Sequence, residues 1–363
     1  MSNLRVLIAG GGTGGHIIPA LAVARELVAR HSAEVLFVGT PRGMENRLVP
    51  AAGFRLDLIR VGQLKNVSLM TKLRTLMDLP RSIGACRQLI RDFQPGVVFG
   101  VGGYASGPAM AAAILMKVPA MAFEPNAMPG LANRLVGKRV QAAAVNLPGA
   151  ARWFRNCEVT GIPVRPEFFA LEPPPAGAAP HLLVFGGSQG ARIFNLQMAK
   201  IITPLLDAIP GLTVLHQCGA RHLEQTRADF AATDADPSRW SVEPFLDDMP
   251  ARFADAHLVM ARSGASSVAE LAAAGKPSLL VPFAAAADEH QKRNAEAMVD
   301  AGAAVMLEEA ELDIPGRLLR ELVGLLADPN RLTKMGVAAR AQAHPDAAER
   351  IADKLAELAA KIS

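Results

Sequence analysis

The feature that most constrains the fold of this chain is a glycine-rich turn that occurs twice. The first copy reads Arg5-Val-Leu-Ile-Ala-Gly-Gly-Gly-Thr-Gly-Gly-His16, and the second reads His181-Leu-Leu-Val-Phe-Gly-Gly-Ser-Gln-Gly190. In both, an apolar run typical of a buried strand precedes the glycines, and a helical pattern follows them. Such a turn exposes backbone N–H groups beside a helix N-terminus, where an anion binds. The sequence therefore predicts two Rossmann-like α/β domains with doubly wound parallel sheets, facing each other across a cleft.

The rest of the chain supports this division. A length of 363 residues fits two domains, and strand-like and helical patterns alternate over 1–162 and again over 181–344. Residues 163–180 are rich in Pro, Ala and Glu and are predicted to be the linker. The tail 345–363 has helical periodicity, and the first domain is one of the surfaces on which it is expected to pack.

The hydrophobic periodicity places the individual elements. The predicted strands are 5–9, 34–38, 55–59, 97–100, 119–123, 142–146 and 157–160, then 181–186, 212–216, 239–243, 257–261, 278–282 and 303–307. The predicted helices are 16–30, 69–92, 105–116 and 130–137, then 190–207, 221–232, 248–254, 266–274, 290–300 and 312–327.

Composition argues against several classes of protein. Cys86, Cys157 and Cys218 form no CxxC pair, which argues against a disulfide framework or a zinc site and indicates a reducing compartment. No other cluster has metal-ligand spacing, so neither a metal nor a cofactor is predicted. The uncharged stretch 96–116 contains five glycines and a proline, which favours strand, turn and helix over a membrane span. The net charge of +4 is mild, and no nucleic-acid partner is expected.

One segment, 60–91, concentrates positive charge. It carries seven basic residues against the single acid Asp78. The basic residues are Arg60, Lys65, Lys72, Arg74, Arg81, Arg87 and Arg91. Apolar residues lie between them, a pattern typical of a helix that meets anionic lipid. An ordinary amphipathic helix with a solvated basic face explains the same pattern, and the sequence does not separate the two.

In the first domain, three features point to chemistry. The first turn contains GxGxxG, but the second predicted strand has its acid, Glu34, at the wrong end to hold a ribose diol. The turn is therefore expected to bind an anion other than a usual dinucleotide, with a purely structural turn as the alternative. His16 stands at a helix N-terminus, which disfavours protonation and suits a base. The third glycine loop, 100–108, is a candidate for a second phosphate.

In the second domain, Arg262-Ser-Gly-Ala-Ser-Ser-Val-Ala-Glu270 follows a predicted strand. Its serines and free N–H groups suit a diphosphate, and Glu270, one turn later, suits a ribose diol. The alternative is a helix acid favoured by the dipole alone. Asp288 to Asn294 place polar groups at the same sheet edge. Asp234-Ala-Asp236 formally matches a metal–diphosphate motif but is interpreted as a solvated loop.

Taken together, these segments resemble the GT-B glycosyltransferases of the peptidoglycan branch, glycosyltransferase family 28. The resemblance covers nearly the whole chain and is carried by a series of motifs in the same order. They are Gly11-Gly-Thr-Gly-Gly-His16, Gly102-Gly-Tyr-Ala-Ser-Gly-Pro108, Glu124-Pro-Asn126, Thr160-Gly-Ile-Pro-Val-Arg165, Gly186-Gly-Ser-Gln-Gly-Ala-Arg192, Phe245-Leu-Asp-Asp-Met249, Arg262-Ser-Gly-Ala265 through Glu270, and His290-Gln291.

The resemblance implies inverting transfer of N-acetylglucosamine from UDP-N-acetylglucosamine to the C4 hydroxyl of lipid I, the undecaprenyl-diphosphate-linked acceptor, which gives lipid II. It implies His16 as the base, with Glu124 as the second catalytic candidate, and acceptor-diphosphate contacts from Gly102, Gly103, Tyr104 and Ser106. The donor contacts it implies are Thr13, Gly14, Gly15, Asn126, Arg165, Ser188, Leu246, Ala265, Ser266, Ser267, Val268, Ala269, Glu270 and Gln291.

The resemblance also implies a peripheral enzyme at the cytoplasmic face of the bacterial inner membrane, docked through the basic segment 60–91. Cell-wall synthesis or division proteins are candidate partners. In one motif the chain departs from the family, which usually shows His-Glu-Gln-Asn where this chain has Phe123-Glu-Pro-Asn126. Phe123 cannot titrate and Pro125 has no N–H, so any role of those two positions is in doubt. The alternatives are a related glycolipid glycosyltransferase and a UDP-sugar epimerase or binding protein.

Overall fold

A computed structural model describes most of the chain. The described residues are 4–12, 14–41, 43–61, 69–126, 128–175, 177–187, 189–285 and 289–361, with backbone only for 69–77. Of the predicted site residues, Thr13 and Ser188 lie outside these ranges, as does Asp288. The chain divides into two compact units. One comprises Met1–Val164 with His344–Ser363, and the other comprises Arg165–Ala343.

The N-terminal unit contains a parallel sheet covered by helices. Its strands are β1 (Arg5–Gly10), β2 (Glu34–Gly39), β3 (Arg55–Leu58), β4 (Val97–Gly102), β5 (Ala120–Glu124), β6 (Ala142–Val145) and β7 (Cys157–Val159). Its helices are α1 (Gly14–His31), α2 (Glu45–Ala51), α3 (Leu69–Phe93), α4 (Ser106–Leu115) and α5 (Leu131–Val136), with a 3₁₀ turn at Pro148–Trp153. The last helix of the chain, α14 (Ala347–Ala360), also belongs to this unit and packs against α1.

The order of the strands in this sheet is β3-β2-β1-β4-β5-β6-β7, and every pair is parallel. The order reverses between β1 and β4, and ligands of open parallel sheets bind at the carboxyl ends of strands at such a point. The central strands are apolar on both faces because helices cover both sides of the sheet. The glycine loops that follow β1 and β4 therefore meet at the edge where this fold binds ligands.

The C-terminal unit has the same architecture. Its strands are β8 (His181–Phe185), β9 (Thr213–Gln217), β10 (Trp240–Glu243), β11 (Leu258–Ala261), β12 (Ser278–Leu280) and β13 (Ala304–Met306). Its helices are α6 (Pro166–Phe169), α7 (Arg192–Ala208), α8 (Leu223–Ala231), α9 (Met249–Asp255), α10 (Ala265–Ala274), α11 (His290–Asp300), α12 (Arg317–Leu326) and α13 (Pro329–Arg340). Short 3₁₀ turns cover Ala220–His222, Pro237–Arg239 and Glu309–Asp313.

The strand order of this second parallel sheet is β10-β9-β8-β11-β12-β13, so its reversal lies between β8 and β11. Phe194, Met198 and Ile202 on one face of α7 are fully buried against the sheet. A buried side chain of this size contributes roughly 1.5–3 kcal/mol relative to an exposed one. The core thus anchors the helix that follows the second glycine-rich turn.

The predicted fold class, two Rossmann-like α/β domains with parallel sheets, is confirmed. One helical prediction needs correction, and two helices were missed. The helix predicted at 312–327 is a 3₁₀ turn followed by α12, because Pro315 and Gly316 interrupt it. Helices α2 and α13 were not predicted. Part of the predicted linker is also ordered, since α6 belongs to the C-terminal unit, where Phe168 packs edge-on against Phe253 with ring centroids 5.2 Å apart.

Candidate active site

His16 lies in the first turn of α1, at the carboxyl edge of the N-terminal sheet. Its ring packs against Gly102 of the neighbouring loop, where a Cβ would lie 2.8 Å from the imidazole Cε1. Burial lowers the pKa of His16 below its usual value, although Glu124 and the backbone of Val101 act in the opposite direction. The imidazole is therefore neutral near pH 7, which is the form that accepts a proton.

The loop that follows β4 needs glycine for close approach to its neighbours. Gly102 and Gly103 have positive φ values of 94° and 80°, a region that favours glycine. A Cβ on Gly103 would lie 2.0 Å from the carbonyl oxygen of Gly11, so the two glycine loops pack backbone against backbone. Tyr104, next in the loop, is 37% exposed and can contact a ligand, whereas Ser106 is fully buried against Gly100.

Glu124 is a buried carboxylate at the end of β5. Its Oε1 accepts hydrogen bonds from the backbone N–H and the side-chain amide of Asn126, both at 3.0 Å. Its Oε2 accepts from the N–H of Gly130 and from the side-chain amide of Asn133, also at 3.0 Å. With two donors on each oxygen, this carboxylate has little capacity left to accept a proton from a substrate. The geometry makes Glu124 the group that orients Asn126, leaving the Asn126 amide oxygen to accept from a ligand.

The two substituted positions beside Glu124 are structural in this chain. Phe123 is buried in β5, with its ring centroid 6.4 Å from that of Phe99. Pro125 is also buried, at the start of the loop that leads to α5. Their replacement of polar family residues is therefore accommodated by the core, while Glu124 and Asn126 keep their polar contacts.

Glu45 is a site residue that sequence reasoning missed. It opens α2, is fully buried, and accepts hydrogen bonds from the N–H of Gly12 and of Thr40, both at 2.8 Å. The first glycine-rich turn thus already binds an anion, supplied by the chain itself. In a dinucleotide-binding turn such an N–H would face a diphosphate, so the engaged N–H of Gly12 argues against that alternative.

In the C-terminal unit, the start of α10 lies at the carboxyl end of β11. Its N-cap residue, Gly264, has no side chain to cap the first turn, so N–H groups such as those of Ala265 and Ser267 are left for an anion. Glu270 lies one turn further along and accepts no hydrogen bond from the described residues. Burial raises the pKa of Glu270 to about 7, against the opposing charge of Arg165.

Two further predicted donor contacts, Gln291 and Leu246, lie on neighbouring elements of this unit. Gln291, in α11, accepts from the N–H of Phe283 through its side chain at 3.0 Å and from the hydroxyl of Ser263 through its carbonyl at 2.8 Å. These bonds hold Gln291 beside the start of α10. Leu246 is buried in the loop after β10, and its backbone N–H and carbonyl make no hydrogen bond with the described residues. A planar base could therefore pair with the backbone of Leu246.

Two arginines complete this edge of the unit. Arg165 stacks on Phe168 at 5.0 Å and presents its charge towards Glu270. Arg262, whose role the sequence left undefined, donates to the carbonyls of Val281 and Pro282 at 3.1 Å and pairs with Glu309. Because the other carboxylate oxygen of Glu309 accepts from the N–H of Ala284, Arg262 fixes the loop that carries Phe283. Its role is therefore structural.

The basic segment 60–91 is described only in part. From residue 78 onward, α3 turns Cys86, Ile90 and Phe93 into the core and exposes Arg87 and Arg91. Arg81 forms an exposed pair with Asp78 at 3.2 Å. This half of α3 is amphipathic, with basic side chains on its exposed face. The prediction for Lys65 lies outside the described residues, and nothing is described of the side chains of Lys72 and Arg74.

The described residues offer neither a metal cluster nor a membrane-spanning helix. They contain no cluster of three His, Cys, Asp or Glu residues that could hold a metal ion. No helix within the same ranges is both long and apolar enough to span a bilayer. Asp236, in the DxD sequence, accepts from the N–H and the hydroxyl of Ser238 and so caps a 3₁₀ turn.

Two parallel α/β units have glycine-rich turns at their reversal points, and in one of them an uncapped helix start lies beside a carboxylate that is unpaired among the described residues. This combination is typical of nucleotide-binding enzymes of the doubly wound class. The profile of the Glycosyltransferase family 28 N-terminal domain matches residues 6–145, and that of the C-terminal domain matches residues 181–351. The chain belongs to glycosyltransferase family 28.

Individual relatives extend this comparison. A protein of Solibacter usitatus named UDP-N-acetylglucosamine--N-acetylmuramyl-(pentapeptide) pyrophosphoryl-undecaprenol N-acetylglucosamine transferase is 46% identical over 357 residues, which is 97% of this chain and 96% of that protein. The crystal structure of MurG from Acinetobacter baumannii matches with a TM-score of 0.78 and 28% identity over 98% of this chain and 99% of the other. A UDP-N-acetylglucosamine 2-epimerase structure, with a TM-score of 0.67 and 14% identity over 98% and 96% of the two chains, shares the fold alone.

Proposed function

We propose that this enzyme transfers N-acetylglucosamine from UDP-N-acetylglucosamine to the C4 hydroxyl of the N-acetylmuramoyl-pentapeptide of undecaprenyl-diphosphate lipid I, with inversion, and so makes lipid II for peptidoglycan. The observation that carries the proposal is the 46% identity to a transferase named for these two substrates, over 97% of the chain. The geometry of each unit supports a distinct part of the reaction.

The C-terminal unit is proposed to hold the donor. The N–H groups of Ala265 and Ser267, which have no acceptor among the described residues, suit the diphosphate. Glu270 suits the two ribose hydroxyls because it lies one turn away and accepts no hydrogen bond within the same ranges. The unpaired backbone of Leu246 suits the uracil. Arg165 and Gln291 lie on the neighbouring elements, which supports their contact with the nucleotide and the sugar, respectively.

The departing UDP gains negative charge in the transition state. Preorganised N–H groups at a helix N-terminus stabilise such charge without having to reorient during the reaction. The start of α10 fits this part, since its N-cap residue Gly264 offers no competing side-chain oxygen.

The N-terminal unit is proposed to supply the base and to bind the acceptor. Neutral His16 removes the proton from the C4 hydroxyl as that oxygen attacks the anomeric carbon, a contribution of ~10²–10⁴-fold in rate. Glu124, saturated by four N–H donors, orients Asn126 towards the donor sugar. Gly14 and Gly15, at the start of α1, remain candidates for donor phosphate contacts, together with Thr13 outside the described residues.

The acceptor diphosphate is assigned to the loop after β4. Tyr104 is accessible there, and Gly102 and Gly103 offer their backbone. Ser106 is not included through its side chain, because its hydroxyl has no exposed surface in this conformation.

A lipid-linked acceptor requires a membrane surface, and we assign the docking to the basic segment 60–91 at the cytoplasmic face of the inner membrane. Reversing the charge of Lys72, Arg74 and Arg81 should weaken binding to anionic vesicles, because each basic residue near such a surface contributes ~1 kcal/mol. Vesicle co-sedimentation measures this, with neutral vesicles as the control. Equal binding by the variant and the parent protein would remove the segment from the docking surface.

The test of the proposed function is the release of UDP from UDP-N-acetylglucosamine with and without a lipid I analogue. Release that depends on the analogue, together with a β-linked disaccharide product, supports inverting transfer. Turnover without any acceptor would instead indicate hydrolysis or epimerisation. Transfer to a different glycolipid with no activity on the lipid I analogue would favour the related glycolipid transferases.

A further inference from the structure

Glu45 makes an unusual set of contacts for a charged residue on a short helix. It is fully buried, and a buried carboxylate is tolerated when hydrogen bonds satisfy it. Oε2 accepts from the N–H of Gly12 at 2.8 Å, while Oε1 accepts from the N–H and the hydroxyl of Thr40 at 2.8 and 3.0 Å. The carboxylate therefore joins the turn after β1 to the end of β2.

Three glycines make room for this carboxylate. A Cβ on Gly11 would lie 2.2 Å from Oε1, one on Gly39 would lie 2.5 Å from Cγ, and one on Gly43 would lie 1.8 Å from Oε2. These glycines come from three segments, the turn after β1, the end of β2 and the loop before α2. All three glycines surround the same side chain. A larger residue at any of these positions would occupy the space that the Glu45 carboxylate now fills.

We propose that Glu45 is a positioning residue for the sugar transfer: its carboxylate holds the turn that leads into α1 and thereby sets the place of His16. The bonded residue, Gly12, precedes the first residue of α1 by only two positions, and His16 follows in the first turn of that helix. The same turn packs against the loop of Gly103. Glu45 touches neither substrate in this proposal, which rests on the assignment of His16 under the proposed function.

The decisive variant is Glu45→Gln, which keeps the shape and removes the charge. In this variant the amide has one oxygen and one NH₂ group, whereas both carboxylate oxygens of Glu45 accept from a backbone N–H. The NH₂ group must therefore face the N–H of either Gly12 or Thr40, and that hydrogen bond is lost in either orientation of the amide. We expect kcat to fall between about ten- and a hundred-fold, as for a small displacement of a catalytic group, with a smaller change in the affinity for UDP because most of the proposed donor contacts lie in the C-terminal unit. Glu34→Gln, which neutralises an exposed acid of the same unit, is the matched control and should behave as the parent protein.

A second measurement is independent of activity. Amide hydrogen exchange of Gly12 and Thr40 should be faster in Glu45→Gln than in the parent protein, while exchange in β8 to β13 stays the same. Unchanged exchange at Gly12, or a fall in UDP affinity that matches the fall in kcat, would overturn the proposal. If the parent protein transfers no sugar, the proposed function fails, and the exchange experiment still decides whether Glu45 holds the turn.

A double-mutant cycle tests whether Gly43 acts through Glu45 or through a general perturbation of the unit. Gly43→Ala pushes a Cβ into the Glu45 carboxylate and should lower kcat in the parent background. In a Glu45→Ala background the space is empty, so the same substitution should add little. Additive effects would show that Gly43 matters for a reason other than Glu45 and would contradict the proposed arrangement.

Discussion

The two glycine-rich turns resemble each other in sequence, yet different groups fill them in the two units. In the N-terminal unit, the side chain of Glu45 lies against Gly11 and bonds to Gly12. In the C-terminal unit, the atoms nearest to a Cβ on Gly190 belong to the backbone of Cys218, the closest at 2.0 Å, and Gly187 faces open space. In the first turn, the anionic group is a side chain of the protein itself, that of Glu45. In the second turn, no acidic side chain of the described residues lies beside Gly187 or Gly190.

This difference shows that a glycine-rich turn does not define a phosphate site by itself. Whether such a turn binds a ligand depends on which side chains and helix ends the following loops place beside it. In the N-terminal unit they bring a carboxylate, and the turn becomes a rigid support for His16. In the C-terminal unit they bring the uncapped start of α10 and the unpaired Glu270, which suit an external nucleotide. The proposed function thus has a division of labour, with proton transfer assigned to the N-terminal unit and most of the nucleotide contacts assigned to the C-terminal unit.

The largest expected effect is that of His16→Ala. It should lower kcat by ~10²–10⁴-fold, the usual contribution of a general base, and leave UDP affinity largely intact because most of the proposed nucleotide contacts lie in the C-terminal unit. Steady-state kinetics and calorimetric titration with UDP measure the two quantities, with His222→Ala as the control. In the parent protein, kcat at saturating donor, where titration of Glu270 no longer limits binding, should fall as the pH decreases, with a midpoint below the ordinary histidine value of about 6.5 because burial lowers the pKa of His16. A variant with near-normal kcat would remove His16 from the role of base.

A smaller effect is expected from the loops that pack against the two glycine-rich turns, which carry Gly103 in the N-terminal unit and Gly219 in the C-terminal unit. Gly103→Ala and Gly219→Ala each place a Cβ within 2.0–2.1 Å of a carbonyl oxygen, that of Gly11 or Gln189, at a positive φ. Each should cost about 1–3 kcal/mol of unfolding free energy. Gly103→Ala should then lower kcat, and Gly219→Ala should lower UDP affinity.

The control for backbone strain alone is Gly53→Ala, where φ is also positive but the Cβ meets open space. Thermal unfolding, UDP titration and kcat are measured for all three variants. The division of labour would be wrong if Gly103→Ala and Gly219→Ala impaired the same kinetic parameter.

The smallest expected effect concerns Glu270. Because a carboxylate accepts hydrogen bonds from ribose hydroxyls more strongly than a neutral acid does, affinity for UDP-N-acetylglucosamine should rise with pH through about 7, the raised pKa of Glu270. Glu270→Gln should bind about tenfold more weakly at pH 8, a change of ~1.4 kcal/mol, and show no such pH dependence.

UDP-N-acetylglucosamine is the right probe for this measurement because, unlike UDP, it has no phosphate group that titrates near neutrality. Glu224→Gln, at an exposed position of the same unit, is the control. A pH dependence that persists in Glu270→Gln would assign it to another group.

The sequence predicted the fold well where periodicity is strong. Every strand of both sheets was predicted, because runs such as Val97–Gly102 and His181–Phe185 are short, apolar and bounded by turn residues. Helix α13 escaped prediction even though Asp328 caps it through a 2.9 Å bond to the N–H of Arg331 and Pro329 follows at its first position, a usual start signal. Helix α2 gave a weaker signal, since it has seven residues and contains Pro50.

The candidate site was predictable only in part. The positions of His16, Glu124 and Glu270 at strand ends follow from motif spacing. The burial of Glu45 does not, because a charged residue on a short helix normally faces solvent, and one of its two partners, Gly12, lies 33 residues earlier in the chain. The saturation of Glu124 by Asn126, Gly130 and Asn133 also depends on how one loop folds back, which periodicity does not describe.

The return of α14 to the N-terminal unit has a consequence for biosynthesis. Ile351, Leu355 and Leu358 of this helix are buried, and Arg30 and Arg350 tie it to the unit through Asp353 and Glu158. A nascent chain that has emerged only through Val164 therefore lacks the part of this unit's hydrophobic interior that α14 supplies. Because the residues of the C-terminal unit are synthesised before α14, the core of the N-terminal unit cannot be complete until the C-terminal unit has emerged.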